Sequence, residues 1–219
     1  MKALNVILFI AGFAFMACNK DKDEAPVPVG PQISYEQTKF TVPFFTLEHS
    51  DVPTLQWNGE IGSLSLSSAV PGIQLNEDNG VLTFKKALPL GQHTVTVIAT
   101  NSVGQDAVTF EIDNAFQGSF TGGYNNNPAS EVVIGNLKLD FADDGAALLT
   151  NNGVSAPGTW TQEEDTITAV YSINNGASYV TIQGTLTHNS LAANFRGYYY
   201  QGQQVVPGME KGLIKVQMN

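Results

Sequence analysis

The sequence has little of the side chains that build catalytic and metal sites: one cysteine and three histidines in 219 residues. A single cysteine excludes an intramolecular disulfide, so packing has to stabilise the fold. His49, His93 and His188 lie in separate segments, without partners at the spacing of metal ligands. The Gly-x-Ser-x-Gly, phosphate-loop and dinucleotide-binding motifs are also missing from the sequence. We therefore expect a protein that is not an enzyme and that holds no metal and no cofactor.

Charged residues are scarce, at 14% of the chain, and the basic ones are the scarcer half. Ten Lys and Arg residues stand against 20 Asp and Glu residues, for a formal net charge of −10. This balance excludes nucleic acid and an anionic membrane surface as expected partners, because both carry negative charge. We interpret the acidic excess as serving solubility.

One long apolar run stands out, from Leu4 to Ala17, after the positively charged start Met1-Lys2. Its 14 residues would form a helix of about 21 Å, which is shorter than the roughly 30 Å hydrocarbon core of a bilayer. A positive start, a short apolar run and a small residue at its end are typical of a secretory signal peptide, here residues 1–17. The lone cysteine, Cys18, follows directly.

The segment Phe15-Met16-Ala17-Cys18, followed by Asn19-Lys20-Asp21-Lys22-Asp23-Glu24, resembles the start of bacterial lipoproteins of the Bacteroidota type. The resemblance implies that Cys18 is acylated, becomes the mature N-terminus and anchors an outer-membrane lipoprotein exposed at the cell surface. Phe15 and Met16 depart from the leucine and small residue usual in that family. An ordinary signal peptide followed by an incidental cysteine is the alternative. Residues 18–30 turn from charged to Pro-rich, which predicts a flexible tether after the acylated cysteine.

Beyond the tether, short alternating runs rich in Thr, Val, Ile, Tyr and Phe predict an all-β chain in two blocks, residues 31–114 and 116–219. The first block predicts eight strands, with Val95, Val97 and Ala99 on one face of a long one. Such short strands separated by turns are typical of a Greek-key sandwich. The predicted strands are Ile33–Glu36, Phe40–Phe45, Thr54–Trp57, Ser63–Ser67, Ile73–Leu75, Val81–Phe84, His93–Ala99 and Ala107–Ile112.

Two strings in the first block carry a second resemblance: Pro71-Gly72-Ile73-Gln74-Leu75-Asn76 with Asn79-Gly80-Val81-Leu82, and Leu90-Gly91 with Thr94 to Gly104. They are similar to immunoglobulin-like and cadherin-like repeats of bacterial surface proteins. The resemblance implies a fold and no activity, because the shared positions are turn and core positions. The calcium motifs of cadherins are missing, so Glu77-Asp78-Asn79 is interpreted as a turn.

The second block predicts eight more strands joined by mostly short loops: Gln117–Tyr124, Val132–Phe141, Ala146–Leu149, Gly158–Thr161, Thr166–Ser172, Tyr179–Leu186, Leu191–Tyr200 and Gly212–Met218. Short loops join antiparallel neighbours, and closure would remove exposed strand edges. We therefore predict an eight-stranded antiparallel up-and-down barrel, with a second sandwich as the alternative. Phe116-x-Gly118-x-Phe120-x-Gly122 and Gly158-Thr159-Trp160 resemble small avidin-like and lipocalin-like barrels, which implies no particular ligand.

Two acidic clusters, Asp143-Asp144 and Glu163-Glu164-Asp165, fall at predicted hairpin tips, where acidic residues shape turns. We interpret them as turn residues rather than as a catalytic carboxylate pair.

The stretch from Phe195 to Tyr200 is aromatic on both faces of its predicted strand, because side chains alternate. Arg196, Tyr198 and Tyr200 share one face and predict a ligand-binding surface, to which Trp160 and Tyr171 could add a cavity lining. The alternative is that the first domain or the loop after residue 200 covers this face. Trp57 is interpreted as a core residue of the sandwich.

These observations predict a non-enzymatic, lipid-anchored surface protein in which the sandwich is a spacer and the barrel binds a ligand. A glycan is the first expected ligand, because exposed aromatic rings beside an arginine suit sugars. One alternative is a structural lipoprotein that docks on an outer-membrane protein through the same surface. The other is a barrel that binds a small apolar ligand inside, which predicts an internal cavity.

Overall fold

Alternating sequence patterns do produce strands along the chain. The computed structural model describes residues 28–218, and it is all-β apart from one turn of 3-10 helix at Asn174–Gly176. The predicted fold class is confirmed. The first nine strands are β1 (Gln32–Ser34), β2 (Lys39–Pro43), β3 (Glu48–His49), β4 (Thr54–Gln56), β5 (Ser63–Leu66), β6 (Ile73–Leu75), β7 (Leu82–Phe84), β8 (Gly91–Thr100) and β9 (Gln105–Ala115). Within the described residues, no helix is long and apolar enough to cross a membrane.

The first nine strands form a four-stranded sheet in the order β2-β9-β8-β5, a three-stranded sheet β3-β7-β6 and a pair β1-β4. β2 runs parallel to β9, whereas the other pairs in these sheets are antiparallel. Val95, Val97 and Ala99 are buried on one face of β8, as the alternation predicts. They belong to an apolar core with Leu82, Phe84 and Phe110, against which Trp57 packs.

The remaining eight strands are β10 (Gly118–Asn125), β11 (Ile134–Phe141), β12 (Ala146–Asn151), β13 (Val154–Glu163), β14 (Thr166–Ile173), β15 (Ser178–His188), β16 (Ala193–Gln201) and β17 (Gly212–Met218). Each pairs antiparallel with the next, and β10 pairs with β17, so the sheet closes into a barrel. The pairing of Gly122 with Val216 is part of that closure. The predicted barrel is therefore confirmed, and the alternative of a second sandwich is wrong.

Glycines allow two of the barrel strands to approach closely. Gly184 on β15 stands opposite Gly197 on β16. A Cβ atom on Gly197 would lie 2.3 Å from the carbonyl oxygen of Gln183 and 2.6 Å from Cα of Gly184. The two strands therefore leave no room for a side chain on either glycine.

The first group of sheets covers one end of the barrel. Phe44 and Phe45 belong to the same buried cluster as the barrel residues Phe120 and Phe195. The ring of Phe44 lies 5.0 Å from that of His188, whose Nε2 is 3.1 Å from the carbonyl oxygen of Leu88. The opposite end of the barrel carries no such cover from the sheets of residues 32–115 and holds the site described next.

Candidate functional site

A cavity of about 270 Å³ lies inside the barrel at the end away from the covered one. Seven of the eight barrel strands contribute inward-facing residues to it. The lining residues are Tyr124, Leu137, Leu149, Asn151, Ile173, Val180, Ile182, Tyr199 and Ile214. The cavity is partly open to solvent, and it is the feature to weigh against the prediction of a barrel that binds a small apolar ligand inside.

The size of the inward side chains explains why the cavity occupies only half of the barrel. In the covered half, Phe116, Phe120 and Phe141 pack against one another with ring centroids 5.1 to 5.9 Å apart. In the other half, aliphatic residues such as Leu149 and Val180 replace these rings at the inward positions. Because branched aliphatic side chains reach less far across a barrel than rings, a void remains between them.

Two tyrosines form part of the cavity wall. The ring of Tyr124 meets that of Tyr199 edge-on, with the centroids 6.5 Å apart. The hydroxyl group of Tyr199 donates a hydrogen bond of 2.8 Å to Oδ1 of Asn126, in the loop between β10 and β11. Burial raises the pKa of Tyr199, and nearby Tyr124 raises it further, so the hydroxyl keeps its proton and can donate. Tyr199 thus connects the loop between β10 and β11 to the cavity wall through this hydrogen bond.

Asn151 places a polar side-chain amide in the cavity wall, which is otherwise mostly aliphatic. It continues the inward series of β12 after Ala147 and Leu149, and pairs with Leu137 and Val154 on the neighbouring strands. Its Oδ1 atom is buried and has no hydrogen-bond partner among residues 28–218. A buried acceptor without a partner is uncommon in folded proteins and calls for an explanation.

Tyr171 lies directly beneath the cavity rather than in its lining. It is fully buried, opposite Val180, and its hydroxyl group has no partner in the described part of the chain. Burial raises the pKa of Tyr171, and the negative charge of Asp140 adds to the shift. The prediction placed Tyr171 in a cavity wall, but its ring belongs to the packed core of the barrel.

The predicted open face of Arg196, Tyr198 and Tyr200 is only partly present. Tyr200 is 6% exposed, so the prediction that it faces solvent is wrong. Its hydroxyl group lies 3.5 Å from Oε1 of Glu210, which also accepts a hydrogen bond from the backbone N–H of Gly208. The loop between β16 and β17 therefore folds back over this ring, as the alternative interpretation proposed.

Arg196 remains exposed, but its charge is already paired. Its Nη2 donates to Oε1 of Glu131 at 2.7 Å, and Lys215 pairs with the other oxygen of the same carboxylate. The hydrogen bond from Lys215, and after it the one from Arg196, lowers the pKa of the Glu131 carboxyl group. The half-buried Tyr198 lies beside Arg196: Cζ of Arg196 is 5.9 Å from the centroid of the Tyr198 ring.

Trp160 is at the covered end of the barrel and packs against the inner core rather than on the outer face that carries Arg196. Its Nε1 donates to the carbonyl oxygen of Ala142 at 2.8 Å, and its ring meets Phe116 edge-on at 5.0 Å. Of the five predicted ligand-binding residues, only Arg196 and Tyr198 are neighbours on the accessible outer face, and the five together form no common surface. Cys18, the predicted lipid-attachment residue, lies outside the described residues.

The acidic clusters have turn roles in the structure. Oδ1 of Asp144 accepts a hydrogen bond from the backbone N–H of Ala146, and Glu164 adopts a left-handed backbone with φ of 52°. In the sandwich, Oδ1 of Asn76 accepts from the backbone of Asp78 and Asn79, which accounts for that turn. Residues 28–218 contain no group of three His, Cys, Asp or Glu side chains placed to hold a metal ion.

The sequence reasoning missed most of the cavity residues. A signal was available for Asn151, because alternation along β12 puts a polar residue at an inward position after Ala147 and Leu149. The predicted strand ended at Leu149, two residues too early to include it. No comparable signal in the sequence indicates which end of the barrel stays open.

Comparisons with known proteins leave the site to be interpreted from its own geometry. No protein-family model matches this chain, and no curated protein matches it. Among solved structures, the crystal structure of human Protocadherin-24 EC1-2 is similar, with a TM-score of 0.39 and 11% sequence identity. The similarity spans 87% of this chain and 97% of that one. A TM-score this low assigns neither a family nor a function.

Proposed function

We propose that this chain is a non-enzymatic binding protein whose barrel takes up a small, largely apolar ligand. The observation that carries the proposal is the cavity of about 270 Å³ lined by inward side chains of seven barrel strands. Small-molecule sites are typically concave, mostly apolar and supplied with a few polar groups, which describes this wall. Its volume lies just under the range of about 300 to 1,000 Å³ for such sites, so the ligand is small.

The rim of the cavity supports an apolar ligand as well. Exposed apolar side chains lie in three of the loops and strand ends at this end of the barrel: Val132, Ile134, Val154, Val206 and Met209. They give an apolar molecule a surface to contact before it reaches the interior. A ligand that buries about 200 Å² of apolar surface gains about 5 kcal/mol before the costs of association.

We also propose that the protein is anchored to a membrane through Cys18. The sequence pattern around Cys18 supports acylation, and two or more acyl chains hold a protein stably at a membrane. The anchored protein would sit at the outer membrane, exposed at the surface, with the first group of sheets as a spacer beneath the barrel. Replacing Cys18 by serine is expected to release the protein from the membrane fraction, and retention of the variant there would contradict the anchor.

Binding inside the barrel can be tested with indene, an apolar bicyclic hydrocarbon, and a pair of matched variants. Leu149→Trp places a large ring in the cavity, whereas Leu148→Trp places the same ring on the outer face of the same strand, where Leu148 is 38% exposed. Indene is expected to raise the thermal midpoint of the native protein and of Leu148→Trp, but not of Leu149→Trp.

The size of that shift follows from linkage. At about ten times its Kd, a ligand stabilises the folded state by about 1.4 kcal/mol, which corresponds to roughly 3–6 °C for a chain of this length. An equal shift in both variants would place indene outside the barrel. Absence of any shift or heat of binding with the native protein would remove the proposed function.

A second candidate function, glycan binding, has one observation in its favour. A surface groove of about 460 Å³ runs beside Arg196 on the outer face of the barrel and carries the polar side chains of Thr121, Thr187, Asn194, Lys215 and Gln217. It has weaker support than the cavity, since Tyr200 is covered and Arg196 is paired with Glu131. Glycan-array binding that is lost in Arg196→Ala would favour it. A stoichiometric outer-membrane protein that co-purifies would favour docking through this face instead.

A further inference from the structure

We infer that residues 125–136, where β10 passes into β11, are the gate through which the ligand enters and leaves the barrel. This inference rests on the proposed function and deepens it, because it names the part of the cavity wall that opens. The gate is held closed by polar contacts of two of its side chains, Asn126 and Glu131.

Both ends of the gate are built into the cavity wall. Tyr124 precedes the gate and Leu137 follows it, and both side chains line the cavity. A third lining residue, Tyr199 on β16, donates a hydrogen bond from its hydroxyl group to Asn126 within the gate. In the barrel, β17 lies between β16 and β10, so this bond reaches past one strand. Movement of the gate therefore displaces part of the wall at the open end of the cavity.

The gate has little packing of its own. None of the residues from 125 to 136 is buried, whereas Phe120 on β10 and Leu139 on β11 are fully buried in the barrel. Its aliphatic side chains Val132 and Ile134 are 68% and 64% exposed. Segments with few buried apolar contacts open locally at a lower free-energy cost than the core around them. The gate is therefore the part of the wall that opens most readily.

The strand pairing is interrupted where the gate meets the barrel. The register of β10 against β11 shifts between Gly122 and Tyr124, which marks a β-bulge. On the opposite strand, Gly135 has a φ of 78°, a left-handed conformation that glycine adopts without strain. A bulge disrupts the ladder of hydrogen bonds locally and bends the strand that carries it. The gate can therefore turn about this point while the rest of both strands stays paired.

The contacts that close the gate are polar and exposed. The carboxylate of Glu131 pairs with Arg196 on β16 and with Lys215 on β17, and Lys215 also donates to the backbone carbonyl oxygen of Glu131 at 2.8 Å. Asn126 adds the 2.8 Å hydrogen bond from Tyr199. The Glu131 side chain is 65% exposed, and exposed ion pairs are individually weak. Such contacts hold the gate closed most of the time and still release it for a ligand to pass.

The test measures the rates at which indene binds and dissociates, by NMR exchange measurements on the native protein and three variants. Glu131→Ala removes both ion pairs, and Tyr199→Phe removes the bond to Asn126 while keeping the ring in the wall. Glu111→Ala is the matched control, because it breaks an equally exposed ion pair with Lys39 in the first group of sheets. Amide hydrogen exchange of residues 125–136 reports opening of the gate in the same four proteins.

Both rate constants are expected to rise together, because indene passes only through the open state. The rise should be about 2- to 30-fold in Glu131→Ala, from the loss of two exposed ion pairs. It should be about 2- to 10-fold in Tyr199→Phe, from the loss of one hydrogen bond. The dissociation constant should stay unchanged, amide exchange in the gate should accelerate, and Glu111→Ala should match the native protein.

Four outcomes overturn the inference. Faster amide exchange with unchanged rates for indene shows that the ligand uses a path that is already open. Unchanged exchange shows that these contacts do not hold the gate. Faster dissociation alone, with weaker affinity, shows that the altered side chains contact the ligand instead of gating it. Absence of indene binding by the native protein removes the proposed function itself, and the gate with it.

Discussion

Replacing Phe44 by alanine is expected to destabilise the protein strongly, because this ring joins the first group of sheets to the barrel. Phe44 is 2% exposed and belongs to the barrel core, although it follows β2 directly in the chain. Its ring contacts Phe116 at 5.7 Å and His188 at 5.0 Å, while its backbone N–H donates to the carbonyl oxygen of Ala115. The side chain thus fills the covered end of the barrel from outside.

The magnitude follows from the loss of a buried ring. Truncation of a buried phenylalanine to alanine costs about 3–5 kcal/mol, and part of that cost is the loss of aromatic pairs worth about 0.5–1.5 kcal/mol each. The backbone hydrogen bond to Ala115 is retained in the variant. Phe44→Ala should therefore lower the free energy of unfolding by about 3–5 kcal/mol.

Guanidinium denaturation followed by tryptophan fluorescence measures this loss, since Trp57 packs in the first group of sheets and Trp160 packs near Phe116 in the barrel. We expect the Trp160 signal to change at lower denaturant in Phe44→Ala. Leu47→Ala is the matched control, because Leu47 is 57% exposed only three residues along the chain, and it should change stability by less than about 0.5 kcal/mol. A loss below about 1 kcal/mol in Phe44→Ala would refute the view that this ring is part of the barrel core.

Three further predictions concern single sites. Asn151→Leu should raise the thermal midpoint of the ligand-free protein in calorimetry, because it removes a buried acceptor without a partner; a lower midpoint would mean that the amide is satisfied. Burial raises the pKa of Tyr35 to about 12 from an ordinary value of 10, so stability that is complete below pH 10 should fall as the pH rises toward 12. This fall, measured by urea denaturation at stepped pH, should be smaller in Tyr35→Phe, and an identical fall would exclude Tyr35 as its source. Gly197→Ala should lower the midpoint by many degrees because its Cβ would meet backbone atoms of Gln183 and Gly184. Gly104→Ala, whose Cβ would make only an ordinary contact of 3.8 Å with Cα of Gly30, should be neutral; similar effects of the two would contradict the close strand approach.

Strand order along the chain was readable from local patterns. All eight barrel strands were predicted, because alternation and turn residues are features of neighbouring residues. The start of β13 at Val154 was placed four residues too late, at Gly158, and the two-residue β3 was missed. A strand of two residues is too short to show any alternation.

The placement of the aromatic run shows where local patterns stop being informative. Alternation correctly separates Phe195, which is buried in the barrel, from Arg196, which is exposed. It does not reveal that Tyr200, on the outer face, is covered by the loop that carries Glu210. Whether an outward ring is exposed depends on how a later loop folds back, and no residue of the strand itself encodes that.

The sequence by itself determined the all-β class, the strands of the barrel and the turn roles of its acidic clusters, since each depends on residues a few positions apart. The tertiary structure decided the rest. Closure required β10 to pair with β17, on the far side of six intervening strands. The cover on one end depends on Phe44 and Phe45 from the other group of sheets. The cavity exists because packed phenylalanine rings fill the covered half of the interior while mostly aliphatic side chains line the other half. That distribution appears only once eight distant segments surround a common axis.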